Sequence, residues 1–165
     1  MKRMLCLILV LCLFLPGCAL FGERIREPVT FYYLRAEYRY GAADGVIAPE
    51  VREASDHVGD LSYLMALYLM GPSDEELVSP IPRGTRIYSA VQENNTVTLT
   101  LSDASQTLTD SEFSLACACL TMTCLDITGA EQVTITSGSR STTMSRDNLM
   151  LTDISATTEA TEDNR

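Results

Sequence analysis

Leu61-Ser-Tyr-Leu-Met-Ala-Leu-Tyr-Leu-Met70 is the stretch that decides the fold, and Gly71-Pro72 follows it directly. Its apolar residues at positions 61, 64, 65 and 68 have the spacing of a helical stripe that faces a core. Asp60 is placed to cap the helix with its side-chain oxygen. Gly71 can take the left-handed conformation that ends a helix, and Pro72 cannot continue one. The stretch therefore predicts a core-packed helix with a defined start and stop.

A turn and a hairpin are predicted after this helix. Ile81-Pro82-Arg83-Gly84-Thr85 has the composition of a turn that directs the chain into a strand. Residues 85–92 and 96–101 then flank Glu93-Asn-Asn95, which we expect to be a polar three-residue hairpin loop. Alternation of Val, Leu and Leu with threonines in 96–101 predicts one buried and one polar face.

The combined pattern resembles the GerMN domain, which is named after a sporulation and spore-germination lipoprotein. The resemblance is carried by a helix ending in Leu-x-Gly-Pro, an Ile-Pro-x-Gly-Thr-x-Ile turn and a Val-x-Leu-x-Leu-Ser strand, and it covers about residues 29–151. The motif positions are Gly71, Pro72, Ile81, Pro82, Gly84 and Thr85. The resemblance implies a non-enzymatic role at the cell envelope, in sporulation or spore germination, similar to ring-building modules that assemble complexes between membranes.

The remaining elements complete an α+β prediction. We expect strands at 29–34, 46–53 and 132–136, a second helix at 111–125, and weak closing strands at 142–144 and 148–151. Thr109 and Glu112 form a capping-box pattern ahead of the second helix, Gly129 is its expected C-cap, and Pro49 suggests an edge strand. The order ββαββαβ predicts a mostly antiparallel sheet with two helices packed on one face.

The N-terminus predicts export and a membrane anchor. Lys2 and Arg3 precede an uncharged apolar run from Met4 to Leu15, the layout of a signal peptide. The following Leu15-Pro-Gly-Cys18 looks like a bacterial lipobox, which implies that residues 1–17 are removed and Cys18 carries a diacylglycerol. Residues 18–28 would be a tether, and the domain would lie outside the cytoplasm on the cell membrane. The alternatives are an uncleaved anchor or plain secretion.

Charge narrows the range of partners. The 165 residues contain 22 acidic and 12 basic side chains, a net charge of −10 that becomes −12 when a signal with Lys2 and Arg3 is removed. Such a surface repels phosphate backbones, so nucleic acid is not an expected partner. The expected partners are the membrane, through the lipid, and other envelope proteins, with a homo-oligomer as an open alternative. Residues 152–165 have few apolar residues and predict a disordered acidic tail.

Three cysteines beyond the anchor invite a metal or redox interpretation. Cys117, Cys119 and Cys124 lie on one predicted helix, where Cys117 and Cys124 would be about 10 Å apart along the axis. That separation is too long for a disulfide. We interpret them as small buried apolar residues rather than as a Cys-x-Cys site. His57, the one histidine, has no acid partner at motif spacing and is interpreted as a solvated loop residue.

No catalytic motif is present in the sequence. It lacks Gly-x-Ser-x-Gly, His-Glu-x-x-His and a glycine-rich phosphate loop. The prediction is therefore a protein that is not an enzyme and has no catalytic residues, no cofactor and no metal. Alternatives are a lipoprotein that binds a solute or the cell wall, or an enzyme that acts on peptidoglycan.

The tyrosines supply a candidate interaction surface. Tyr38 and Tyr40 lie in a polar segment and are equally compatible with exposure for binding and with burial. For Tyr63, Tyr68 and one of Tyr32 and Tyr33 we favour a place in the core.

Overall fold

A computed structural model describes residues 28–37, 45–54 and 57–149 of the chain. Outside these ranges lie the predicted signal peptide, residues 18–27 of the predicted tether, the predicted tail, and Cys18, Tyr38 and Tyr40. The strands are β1 (Pro28–Arg35), β2 (Ile47–Glu53), β3 (Leu77–Val78), β4 (Ile87–Glu93), β5 (Thr96–Leu101), β6 (Gln132–Ser137) and β7 (Arg140–Ser145). The helices are α1 (Leu61–Leu69), α2 (Asp110–Thr128) and α3 (Arg146–Leu149), with a 3₁₀ helix at Asp103–Thr107.

The strands form two hydrogen-bonded sheets. The first sheet has the order β2-β1-β3 and is antiparallel, and the second has the order β4-β5-β6-β7. In the second sheet β5 and β6 are parallel, because α2 carries the chain back before β6 begins. The α+β class with two main helices is thus confirmed, and the sheets are mainly antiparallel. The structure differs from the expectation of a single sheet.

Helix α1 begins and ends where its signals predicted. The Asp60 carboxylate accepts a hydrogen bond from the Tyr63 amide at 3.0 Å. Gly71 has φ +89°, a conformation open to glycine, and Pro72 follows it. Leu64, Met65 and Tyr68 are buried, as the stripe predicted. α1 packs against β4 of the second sheet.

The hairpin loop is one residue shorter than predicted. Glu93 pairs with Thr96, so the loop contains only Asn94 and Asn95. Asn94 has φ +52°, and asparagine tolerates this left-handed conformation better than most residues. The three-residue prediction was wrong because two asparagines are sufficient for the tight turn.

Helix α2 lies between the two sheets and packs against β1, β6 and β7. The capping box is confirmed, since Glu112 accepts from the Thr109 amide at 2.8 Å and the Thr109 hydroxyl accepts from the Glu112 amide. The helix ends at Gly129, which has φ +66° as the C-cap prediction requires. Burial continues around most of its surface, as the broad small-residue stripe predicted.

The C-terminal part of the described chain contains one confirmed and one wrong prediction. Residues 142–144 lie in β7, but residues 148 and 149 belong to α3 and do not form a strand. Arg146 pairs with Asp126 of α2 at 2.9 Å, which holds the segment against the helix instead of beside β7. In the part of the chain that the structure describes, no helix has the length and apolar character needed to cross a bilayer.

Candidate interaction surface

An arginine fixes strand β2 to the end of α1. The Arg52 guanidinium lies 5.4 Å and 5.6 Å from the ring centres of Phe31 and Tyr33, where it makes cation–π contacts. Its Nη2 atom donates to the Glu50 carboxylate at 2.8 Å and to the Gly71 carbonyl oxygen at 2.6 Å. The Gly71-Pro72 segment that ends α1 is therefore held by a side chain of strand β2.

Glu50 completes this connection. Its second carboxylate oxygen accepts from the Ser73 amide at 2.9 Å. Burial would raise the pKa of Glu50, but the hydrogen bonds from Arg52 and the Ser73 amide outweigh it and lower the pKa below its usual value. The carboxylate is thus charged at neutral pH, and it ties β2 to the segment after α1.

The predicted turn at residues 81–85 is confirmed. The Thr85 amide donates to the Pro82 carbonyl oxygen at 3.2 Å, and the Thr85 hydroxyl donates to the same oxygen at 2.8 Å. Gly84 has φ +89°, which the third position of a type II turn requires. Ile81 is buried and holds the turn against the core.

Two open clefts flank this turn. The first, of about 430 Å³, lies between the turn and the start of α2 and includes Leu34, Val78, Pro82 and Leu115. The second, of about 410 Å³, lies between the turn and the end of α1 and includes Gly71, Pro72 and Arg83. Four of the six motif positions, Gly71, Pro72, Ile81 and Pro82, thus line two neighbouring depressions in the surface.

Strand β2 carries its side chains in an unusual orientation. Ala48 is buried, and Glu50 and Arg52, on the same face of the strand, point inward to the contacts described above. Ile47, Pro49 and Val51 point to the opposite face and away from the core. Charged residues inward and apolar residues outward reverse the normal amphipathic pattern of a half-buried strand.

The outward side chains of the first sheet are mostly apolar, and we call this surface the outer face. Its rows follow from the strand register. They are Ile47–Leu34–Val78, then Pro49–Tyr32, then Val51–Thr30. Val51 is 64% exposed and Val78 is 42% exposed. Leu34 and Val78 also line the first cleft, so the outer face continues into it.

Acidic residues lie at both ends of the outer face. Glu53 pairs with Pro28 beyond the Val51 row. Glu37, Glu75 and Glu76 line an open cleft of about 430 Å³ together with Arg35, beyond the Leu34 row. This second end is fixed by the Ala36 amide, which donates to the Glu76 carbonyl oxygen at 2.7 Å. An apolar centre is thus bordered by carboxylates at two ends.

Hydroxyl groups predominate on the solvated face of β5, β6 and β7, which we call the hydroxyl face, and Val91 of β4, 44% exposed, lies at its edge. Thr98, Thr134 and Thr143 form one row across β5, β6 and β7, and the Thr134 and Thr143 hydroxyls are 2.9 Å apart. This is the normal pattern for a sheet with one solvated side. The face formed by β5, β6 and β7 thus differs in composition from the outer face of the first sheet.

Tyr32 connects the outer face to α2. Its hydroxyl donates to Asp126 at 2.6 Å, and Asp126 also accepts from Arg146 at 2.9 Å. Burial and the neighbouring Asp126 carboxylate raise the pKa of Tyr32 to about 12, so the phenol stays neutral. Tyr32 is therefore half-buried and held in place at the middle of the face.

The cysteines are buried as predicted. Cys117, Cys119 and Cys124 are free thiols with almost no exposed surface, and Cys124 Sγ lies 3.7 Å from Met65 Sδ. Burial raises the pKa of each thiol from 9.0 to about 12. Neutral buried thiols are unreactive and pack as small apolar groups. Within residues 28–37, 45–54 and 57–149 no cluster of three His, Cys, Asp or Glu side chains could hold a metal ion.

The tyrosine predictions are partly confirmed. Tyr33 and Tyr68 are fully buried and stack with ring centres 4.7 Å apart, and each hydroxyl donates to a backbone carbonyl. The prediction that Tyr63 lies in the core is wrong, since its side chain is 43% exposed and its ring stacks on the exposed His57 ring, with the ring centres 4.1 Å apart. Position 63 lies about 200° around the helix from position 61, on the side away from the buried stripe. The exposure predicted for His57 is confirmed.

The features most relevant to binding were not found from the sequence. Cys18, Tyr38 and Tyr40 lie outside the described residues, so their predicted roles stay predictions. The outer face was missed because Ile47, Pro49 and Val51 alternate with Ala48, Glu50 and Arg52. Alternation gives the two sets but does not say which of them is inward. The available signal was the Arg–Glu pair two residues apart on one side of the strand.

A family model and a solved structure both relate this chain to sporulation proteins. The family model Germane, described as sporulation and spore germination, matches residues 30–142, more than half of the chain. The tandem GerMN domains of the sporulation protein GerM from Bacillus subtilis have a similar structure, with a TM-score of 0.56, 15% sequence identity and 76% of this chain covered. This chain covers 43% of the length of that tandem protein.

A second solved structure is similar at a lower level. It is a candidate lipoprotein from Clostridium perfringens, with a TM-score of 0.48, 12% identity and coverage of 77% of this chain and 93% of that one. No curated protein matches the sequence. At 15% identity the tandem GerMN structure shows similarity of fold only.

Proposed function

The chain belongs to the Germane family of sporulation and spore-germination domains, and from this premise we propose that it is a membrane-anchored extracytoplasmic lipoprotein that assembles or supports an envelope protein complex without catalysing a reaction. The observation that carries this proposal is the apolar outer face of the first sheet. Exposed contiguous apolar surface is typical of a site that another protein covers. A domain of this kind acts by contact.

The proposed anchor is a lipid on Cys18. Two acyl chains bury enough CH₂ groups for stable attachment to a membrane. The net charge of −10 disfavours direct adsorption of the protein surface to anionic lipids, which supports a dependence on the lipid. The anchor would place the domain where envelope complexes form.

The anchor is tested by substitution of Cys18. We expect Cys18→Ala to move the protein from the membrane fraction to the soluble extracytoplasmic fraction. Cys12→Ala, in the apolar run of the signal, is the matched control and should leave the protein in the membrane. A Cys18→Ala chain that stays in the membrane with its signal removed would contradict the lipid anchor.

The assembly role is tested by size and by phenotype. After mild detergent extraction, we expect the full chain to migrate in a complex much larger than its own 18.1 kDa. Loss of the gene in a spore-forming source should lower the yield of germinating spores. A single-chain species in detergent would contradict the assembly role. Release of soluble muropeptides by the purified protein would instead indicate an enzyme, and a thermal shift with a small solute would indicate a binding protein.

A further inference from the structure

We propose that the outer face of the first sheet binds a protein other than a second copy of this chain. The binding site includes the cleft between the turn and the start of α2, and the partner presents an apolar centre bordered by arginine or lysine. This inference rests on the proposed function and specifies the partner's chemistry. Four features of the protein support it: the orientation of β2, the shape of the cleft, the edge of β2 and the distribution of charge.

The orientation of β2 is fixed from inside the protein. Arg52 is held by Glu50, by the Gly71 carbonyl oxygen and by two aromatic rings. A shift of one residue in the strand would exchange the two faces and remove all of these contacts. Ile47, Pro49 and Val51 are therefore locked on the outside, where their apolar surface is available to a partner.

The cleft offers a place for an anchoring side chain. Leu34 and Val78 belong both to the outer face and to the cleft of about 430 Å³, whose other walls include Pro80, Pro82 and Leu108. This volume lies in the range of about 300–1,000 Å³ that is typical of small binding sites. One large apolar side chain entering such a depression is the usual centre of a strong protein interface.

The strand edge itself is poorly suited to binding by addition of a further strand. The Tyr32 amide donates to Thr123 of α2 and so points away from β2. When one residue of an antiparallel pair directs its backbone groups away from the partner strand, the residue opposite does the same. Pro49 pairs with Tyr32, so the nitrogen of Pro49 points away from β1, toward the edge of the sheet. Proline has no N–H to donate there. Docking across the face is favoured over pairing at the edge.

Charge selects a basic partner over a second copy. Glu53 borders one end of the face, and Glu37, Glu75 and Glu76 border the other. A second copy in a symmetric contact would bring carboxylates against carboxylates, and each copy without its signal carries a net charge of −12. Arginine or lysine beside an apolar centre would complement the end of the face that carries Glu37, Glu75 and Glu76.

The test places a photo-crosslinking amino acid in the full chain, in its native membrane. It replaces Val51 or Val78 on the outer face, and in matched controls it replaces the exposed Thr98 or Thr143 on the hydroxyl face. We expect Val51 and Val78 to give the same discrete product and the controls to give little or none. The partner in the product is identified by mass spectrometry and purified. A product with the mass of two copies, or equal products from the controls, would overturn the proposal.

Binding of the identified partner is then measured with the mature Cys18→Ala chain. Val51→Asp should weaken the affinity about tenfold or more, because a carboxylate replaces an apolar contact in the interface. The double change Glu75→Gln and Glu76→Gln should weaken it several-fold and reduce its dependence on salt. Unchanged affinity for Val51→Asp, with an unchanged unfolding temperature, would exclude the face. Affinity insensitive to salt and to the double change would exclude the basic border.

The proposed assembly role and the proposed docking on the outer face can be contradicted separately. If the wild-type chain migrates as a large complex but the crosslinks come only from other surfaces, the assembly role stands and the outer face is wrong. If the chain migrates alone and no crosslink forms, the assembly role itself is wrong.

Discussion

Arg52 Nη2 donates to the carbonyl oxygen of Gly71 at 2.6 Å, although the two residues are 19 positions apart and belong to different elements. The same guanidinium is neutralised by Glu50 and covers two aromatic rings. One side chain thus determines which face of β2 is inward and where the chain goes after α1.

Removal of Arg52 should be strongly destabilising. Arg52→Met keeps much of the length but leaves the carboxylate of Glu50, whose side chain is only 10% exposed, without its cation. Breaking a buried ion pair on one side typically costs about 3–5 kcal/mol. We expect the free energy of unfolding to fall by an amount near the lower end of this range. It is measured by urea denaturation of the mature Cys18→Ala chain. Arg86→Met, at an exposed arginine, is the control and should change stability by no more than about 0.5 kcal/mol.

The pH dependence of stability should contain a contribution from Glu50. Its folded-state pKa lies below the ordinary value of 4.5, so the stabilisation is present above the unfolded pKa and is lost as the pH falls through the folded pKa. The comparison is the difference in unfolding free energy between wild type and Glu50→Gln at pH 7 and at successively lower pH. We expect this difference to decrease on acidification. A constant difference would show that the charge of Glu50 does not contribute.

Replacement of the turn glycine, Gly84, should be destabilising because of its backbone conformation. A methyl group at Gly84 would meet no atom within 4 Å, but φ is +89°. Gly84→Ala should therefore cost about 1–2 kcal/mol from backbone strain alone. Gly59→Ala is a matched control, since Gly59 also has free space and no positive φ. It should be neutral or slightly stabilising, because alanine restricts the unfolded chain. Thermal unfolding of both variants distinguishes strain from packing, and equal losses would contradict this account.

The buried thiols should not affect the pH dependence of stability near neutral pH, but they should make the folded protein less stable at high pH. Burial raises the pKa of Cys117, Cys119 and Cys124 from 9.0 to about 12, so the neutral thiols contribute fully below pH 9 and lose this contribution as the pH rises toward 12. Each thiol adds up to about 1.4 kcal/mol per pH unit to the decline.

A thiol reagent gives the direct measurement. In the mature Cys18→Ala chain at pH 8 we expect no reaction while the protein is folded and three reacting thiols after denaturation with urea. Rapid modification of the folded protein would show that at least one thiol is accessible and would contradict its role as a packing group.

Local signals in the sequence predicted the parts of the fold that depend on neighbouring residues. Asp60 and Gly71 gave the limits of α1, and Thr109 and Gly129 gave those of α2, because caps use backbone groups only a few positions away. The turn at Gly84 followed from the same kind of reasoning. These signals need no knowledge of tertiary contacts.

Features that depend on distant contacts were not predicted. The division into two sheets, the two-residue strand β3 and the outward orientation of Val51 follow from pairings between residues far apart in sequence. Arg52 illustrates the reason: its partners Phe31 and Gly71 lie on either side of it in the chain, and no periodic pattern points to them. The apolar surface available to a partner was missed for the same reason.

Strand β1 has a mechanical role that follows from its position. It is the strand nearest the proposed tether, beginning at Pro28, and it supplies one residue to each row of the outer face, including the middle residue, Leu34, of the three-residue row. A force between a held N-terminus and a protein bound on that face would therefore enter the domain through this strand, loading its hydrogen bonds with β2 in shear. Helix α2 would share this load, because the Tyr32 amide and hydroxyl donate to Thr123 and Asp126 of that helix.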